Sequence, residues 1–224
     1  MAINPLDNPV WHALKGPHRT HAIGHGKAAH YPRDMAPFSA IREASDEAYA
    51  DLAHDLAPNA EARLFRPAEE ALPAGWRQID AFPMLQMVAA SAPDPVDASI
   101  ETLSKADVPA MMDLVAIAQP GPFGPRTIEL GRYLGIRHAG RLVAMAGERL
   151  RLPGHVELSG ICVHPGARGQ GHAVRLIRAL MADAFARGEV PFLHVRQENK
   201  AADLYRRLGF TTRCQLTVVW RRPA

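Results

Sequence analysis

Ten residues near the end of the chain, His164-Pro-Gly-Ala-Arg-Gly-Gln-Gly-His-Ala173, hold three glycines within six positions: Gly166, Gly169 and Gly171. Glycine allows tight turning and close approach of the backbone to a ligand. The apolar run Val156–Val163 before the loop reads as a strand, and Ala173–Arg187 after it reads as a helix. A glycine loop feeding a helix N-terminus offers unpaired N–H groups and the positive end of a dipole, which suits a phosphate or pyrophosphate. Two familiar phosphate loops do not fit. Gly166 and Gly171 have Walker spacing, but His172-Ala173 stands where Lys-Ser/Thr is needed. Gly169 and Gly171 begin a dinucleotide fingerprint, but Val174 holds its third glycine position.

Other residue types invite chemistry. Cys162 and His164 share strand parity, as a thiol nucleophile and its base would. Six histidines lie in the first half (His12, His18, His21, His25, His30 and His54), with His21 and His25 on one strand face. No HxH, HExxH or cysteine pair accompanies them, so no metal is expected. Cys162 and Cys214 form neither a disulfide framework nor a CxxC pair.

These side chains need a frame. The chain has 224 residues, 47% apolar and 22% charged, an ordinary globular composition. No apolar run is long enough to span a membrane, and the N-terminus lacks the pattern of a secretory signal, so a cytoplasmic location is expected. Residues 1–98 carry 8 Lys+Arg against 13 Asp+Glu, whereas residues 99–224 carry 18 against 10. The basic half lacks the interleaved aromatic and basic residues of a nucleic-acid surface. The Pro-containing stretch at residues 91–99 marks a boundary, giving an N-terminal region, 1–98, that packs on a domain at 99–224.

In the first half, Pro9 opens a short helix through Leu14, and Ser45 caps a helix over Asp46–Leu56. His21–His30, Ala62–Phe65 and Trp76–Val88 read as extended. In the second half, Ser104 caps a helix holding Val108, Met111, Met112, Val115 and Ile117. Strands at Tyr133–His138 and Arg141–Leu150 meet at Ala139-Gly140, a hairpin signal. A strand at Phe192–Val195, a helix at Ala201–Leu208 ended by Gly209 and a strand at Leu216–Trp220 complete an alternating α/β pattern.

Arg168-Gly169-Gln170-Gly171-His172-Ala173 resembles the Q/R-x-x-G-x-G/A signature of the GNAT superfamily of acetyl-CoA-dependent N-acetyltransferases. The likeness continues upstream through residues 157–165, and downstream through Asn199, Leu204-Tyr205 and Leu208-Gly209-Phe210. It implies a mixed α/β central sheet with splayed central strands flanked by helices, with an α/β N-terminal region that covers the acceptor cleft or is a degenerate second copy of the fold. It implies acetyl-CoA as co-substrate, without metal, and direct acetyl transfer to a primary amine in a ternary complex. In the family the pantetheine arm enters the gap between the splayed strands. Ile161, Cys162 and Val163 are its expected contacts, and the Val163 N–H is the expected donor to the thioester oxygen. Arg168, Gly169, Gln170, Gly171, His172, Ala173 and Val174 are expected at the pyrophosphate. Asn199, six residues before Tyr205 where the family commonly has seven, is a further expected CoA contact.

Tyr205 is then the candidate acid for the departing thiolate, and Glu157 the candidate base for the amine, working through water. Phe123, Arg126, Glu129 and Tyr133 fall where such enzymes build an acceptor wall. The acceptor stays unnamed: the acidic first half favours a cationic amine such as a polyamine, a drug or a protein lysine. No nucleic acid or membrane partner is implied, and the oligomeric state, homodimer included, is open. The competing reading is a non-catalytic CoA-binding or interaction module.

Overall fold

The computed structural model describes residues 4–66, 70–94 and 100–224. The elements are α1 Pro9–Leu14, β1 Ala28–His30, β2 Ser39–Ile41, α2 Asp46–Asp55, β3 Ala62–Arg66, β4 Trp76–Ala89, β5 Glu101–Leu103, α3 Val108–Ala118, β6 Tyr133–His138, β7 Arg141–Leu152, β8 His155–Val163, α4 His172–Ala186, β9 Val190–Arg196, α5 Ala201–Arg207 and β10 Phe210–Pro223. Local chemistry accounts for several boundaries. The Ser45 hydroxyl accepts the Ala48 N–H and starts α2. Ser104 and Asp107 form a reciprocal capping box ahead of α3. Ala139 and Gly140, both at positive φ, turn β6 into β7.

Eight strands form one mixed sheet in the order β3-β10-β4-β9-β8-β7-β6-β5, and β1 pairs with β2 apart from it. Both halves of the chain build the large sheet: β4 lies between β9 and β10, and β3 lies on the outer side of β10. The 14-residue β10 is far longer than the Leu216–Trp220 segment its apolar core predicts, because it has a partner on each side. The expected boundary at 91–99 lies largely outside the described residues.

On one face, Leu176, Ile177, Leu180 and Met181 of α4 pack with Leu158, Leu193 and Val195 of the sheet. On the other, Leu6, Val10, Leu14, Tyr31 and Phe38 of the first half cover Leu150, Leu152 and Phe192. The first half therefore supplies two strands of the sheet and the layer that closes one of its faces.

Candidate active site

Two irregularities in β8 create the site. Met145 of β7 faces Cys162 of β8, whereas Gly147 faces Ser159, so β8 carries an extra residue there. This is a β-bulge, and Gly160 within it stands at φ +62°, a conformation that favours glycine. The parallel pairing of β8 with β9 covers only His155–Glu157 against Val190–Phe192. Beyond that point β9 stays paired with β4 as far as Arg196 and leaves β8. The two strands part and open a wedge, as the resemblance implies.

One side of the wedge is a groove of about 370 Å³. Its lining runs from Ile161, Cys162 and Val163 on β8 to Tyr205 on α5. All the expected CoA contacts line it except Gln170, which is exposed in the glycine loop, and Asn199. Gly169 and Gly171 stand at φ +79° and +74°, so the loop needs glycine at both. The first hydrogen bond of α4 runs from the Arg175 N–H to the Gly171 carbonyl. The amides of His172, Ala173 and Val174 therefore emerge from the helix end without intrahelical partners. No acid sits in the first turn of this 15-residue helix. A pyrophosphate fits such an end through backbone N–H groups and dipole, without a cation.

The Asn199 Oδ1 accepts the Ala201 N–H at 2.9 Å, fixing the turn before α5, and the residue lies at a second cavity beside the groove.

Tyr205 lines both spaces. Burial alone pushes its phenol up to about 12. Cys162, in the same groove, is also buried and pushed up to about 12. A thiol in that state is a poor nucleophile at neutral pH. The His164 Nδ1 accepts the Gly166 N–H at 3.1 Å, so its imidazole helps shape the glycine loop.

Glu157 differs from the expectation of a base working through water. Its side chain is fully buried. Both carboxylate oxygens accept from Arg149, from Nε and from a terminal nitrogen, each at 2.8 Å. The His194 Nδ1–H donates to it as well, at 2.7 Å. Burial pushes the carboxyl up, but Arg149 and His194 outweigh it and hold the group at about 2. His194 is fixed in turn by the Gln86 amide, which donates to Nε2 at 3.1 Å. A carboxylate so committed has little basicity left for an ammonium.

Arg149 and His194, the partners of Glu157, were not among the residues singled out from the sequence. The signal was there in β9, where Phe192, His194 and Arg196 alternate with the apolar Leu193 and Val195. The second cavity, of about 520 Å³, adjoins the first groove at Ala118, Ile161, Ala201 and Tyr205. It is walled by Arg149 and His194, by Phe38 and Phe65 of the first half, and by the Gln119–Pro122 loop after α3. None of the four residues expected at an acceptor wall lines this cavity: Tyr133 is core, its ring against Gly147 and Gly160, and Phe123 meets it edge to face. Arg126 and Glu129 pair with each other at 2.9 Å.

Residues 133–220 match the family model described as FR47-like protein. A crystal structure of a protein assigned to the GNAT family of acetyltransferases, from Novosphingobium aromaticivorans, superposes with a TM-score of 0.91 at 39% identity, covering 99% of this chain and 100% of that one. The chain belongs to the GNAT superfamily. It is also 45% identical over 82 residues, 35% of its length, to the N-alpha-acetyltransferase RimI of Mycobacterium tuberculosis, and the match spans about half (51%) of that protein. A GCN5-related N-acetyltransferase from Kribbella flavida shares the fold, at a TM-score of 0.61 and 20% identity over 96% of this chain and 94% of that one. Its GNAT-type sheet thus extends from the family's motif strands into the first half of the chain.

Proposed function

We propose that this protein transfers the acetyl group of acetyl-CoA to a primary amine by direct attack in a ternary complex. The observation that carries this reading is the wedge between β8 and β9, with open amides of α4 at one end and Tyr205 where the two cavities meet. CoA lies along the groove with its pyrophosphate at Gly169–Val174 and its pantetheine beside Ile161–Val163. The Val163 N–H meets the negative charge that develops on the thioester oxygen. The amine approaches from the second cavity, and Tyr205 gives its proton to the leaving thiolate.

The acidity of the two groups is matched by their shared surroundings. An ordinary thiol has a pKa of about 8.5 and would be a weaker base than tyrosinate. Desolvation, which lifts Cys162 to about 12, acts on a CoA thiolate in the same groove. A rise in that direction narrows the gap to Tyr205, itself raised to about 12, and eases the proton transfer.

The expected role of Glu157 as base gives way to a positioning role. It holds Arg149 and His194 on the wall, and the acceptor enters as free amine. The RimI match favours an N-terminal α-amine as one acceptor to be tested. The deciding experiment measures CoA thiol release from acetyl-CoA with a panel of amines, beside calorimetric binding of acetyl-CoA. Binding with amine-dependent thiol release supports transfer. Binding without release from any amine supports a non-catalytic CoA module, and absence of binding removes the reading altogether.

A further inference from the structure

His25 and His54, far apart in sequence, come together on the surface of the first half. Their rings meet edge to face with centroids 4.8 Å apart. Both converge on one carboxylate oxygen. The Oδ1 of Asp55, the last residue of α2, lies 2.8 Å from the His25 Nδ1 and 3.4 Å from the His54 Nδ1. One donor atom from each of the three lies within 4.8 Å of the others. None of the three lines the groove or the second cavity. His21, the partner that strand parity suggested for His25, packs its ring on His18 instead.

Backbone amides hold the acids in place. The Asp55 Oδ2 accepts the His25 N–H at 2.9 Å, and the Oδ2 of Asp51, one turn earlier on α2, accepts the Lys27 N–H at 2.8 Å. Gly24 and Gly26, at φ +130° and +51°, let the chain wrap this closely, and a Cβ on Gly26 would stand 2.3 Å from the Asp51 carboxylate. The Oδ1 atoms are left to His25, whose Nδ1 faces Asp55 while its Nε2 lies 3.4 Å from Asp51. Metal-bound histidines are built this way: one ring nitrogen faces the ion, and the other donates to a carboxylate that fixes the tautomer and the ring plane. Lys27 does not neutralise the two aspartates, because its ammonium pairs with Glu43 and Glu47. The C-terminal end of α2 adds the negative end of its dipole, which also favours a cation.

We infer that His25, His54 and Asp55 form a binding site for a zinc-class divalent cation, separate from the acetyl-transfer site. Zinc holds imidazole nitrogen and carboxylate oxygen at about 2.0–2.2 Å, so tetrahedral ligand atoms stand about 3.3 Å apart. The separations of 2.8 and 3.4 Å at Asp55 bracket that spacing. An ion enters when the imidazoles, with side chains 52% and 78% exposed, turn about the Asp55 carboxylate, which is only 12% exposed and anchored. Water takes the fourth position, and Asp51 stays behind His25 as its orienting carboxylate. Two imidazoles suit zinc and its neighbours and not calcium or magnesium, which take oxygen. The bound ion staples the loop at residues 24–27 to the end of α2. The chain lacks HxH and HExxH spacing, but that does not bear on ligands the fold gathers from a loop and a helix.

The test titrates the full chain, free of any histidine tag and stripped with chelator, with zinc chloride at pH 7 by calorimetry. The titration is repeated with magnesium chloride. Zinc should bind and raise Tm, as a ligand of the folded state does, and magnesium should do neither. His25→Ala and His54→Ala change exposed side chains, so circular dichroism should stay native while each weakens zinc binding at least tenfold and removes most of the rise in Tm. Neither readout depends on acetyl transfer. Absence of zinc binding would reduce the cluster to ion pairs between His25 and two aspartates. Binding undiminished in either variant would place the ion elsewhere. Magnesium bound as well as zinc would make the cluster an unselective acidic surface. Each of these three results overturns the inference.

Discussion

Replacing Glu157 by Gln tests whether this carboxylate is a base or a buried counter-charge. The change keeps the shape of the side chain and one acceptor oxygen, but leaves the Arg149 guanidinium buried without its partner charge. A carboxyl held at about 2 instead of 4.5 binds its proton about 3 kcal/mol less well in the folded protein. Breaking a buried ion pair from one side costs about 3–5 kcal/mol, in keeping with that figure. For a chain of this size, about 3 kcal/mol lowers Tm by roughly 6–12 °C. The sign with pH follows from the depressed value. The stabilisation is fully present above about 4.5 and is lost as pH falls from there toward about 2. Thermal melts of parent and variant should therefore differ by that margin at pH 7 and converge in acid. The activity of the variant, measured where it is folded, should be reduced by a factor that does not change between pH 7 and 9.5. Equal melting temperatures at pH 7, or a slow enzyme that recovers fully at high pH, would refute the counter-charge reasoning and return Glu157 to the role of base.

Tyr205→Phe removes one hydroxyl and keeps the edge-on packing against Phe210. Turnover should fall within or somewhat below the range of about 10²–10⁴-fold, with acetyl-CoA affinity nearly unchanged by calorimetry. Equal turnover would mean that water protonates the thiolate. Gly171→Glu places a negative side chain at the N-cap of α4, where φ is +74°. It should abolish acetyl-CoA binding in titration calorimetry while circular dichroism stays native, and unchanged affinity would place the pyrophosphate elsewhere. At Gly147, an added Cβ would stand 2.3 Å from the Tyr133 ring. Gly147→Ala should cost about 1–3 kcal/mol, read as a lower denaturant midpoint, since a buried ring has little room to retreat.

Local patterning decided much of this protein. The glycine loop, the amphipathic period of α4, the capping serines 45 and 104 and the Ala139-Gly140 turn all act within a few residues. The elements they specify, and the family to which the motif belongs, were therefore legible in the chain alone. So was the groove beside that loop, because the loop and the strand before it are contiguous in sequence. The second cavity was not, because its parts are joined only by tertiary pairing. Phe82 and Arg63 belong to the first half, Trp220 to the end of the chain and Arg196 to β9, and each by itself reads as an ordinary strand residue. They come to line one cavity because β4 inserts between β9 and β10 and β3 adds beyond it, a strand order no local pattern encodes. The same holds for Glu157. Its place on β8 was plain from the sequence, but whether its charge was free to take a proton depended on Arg149 from β7 and His194 from β9, and only the folded sheet brings those within 2.8 Å.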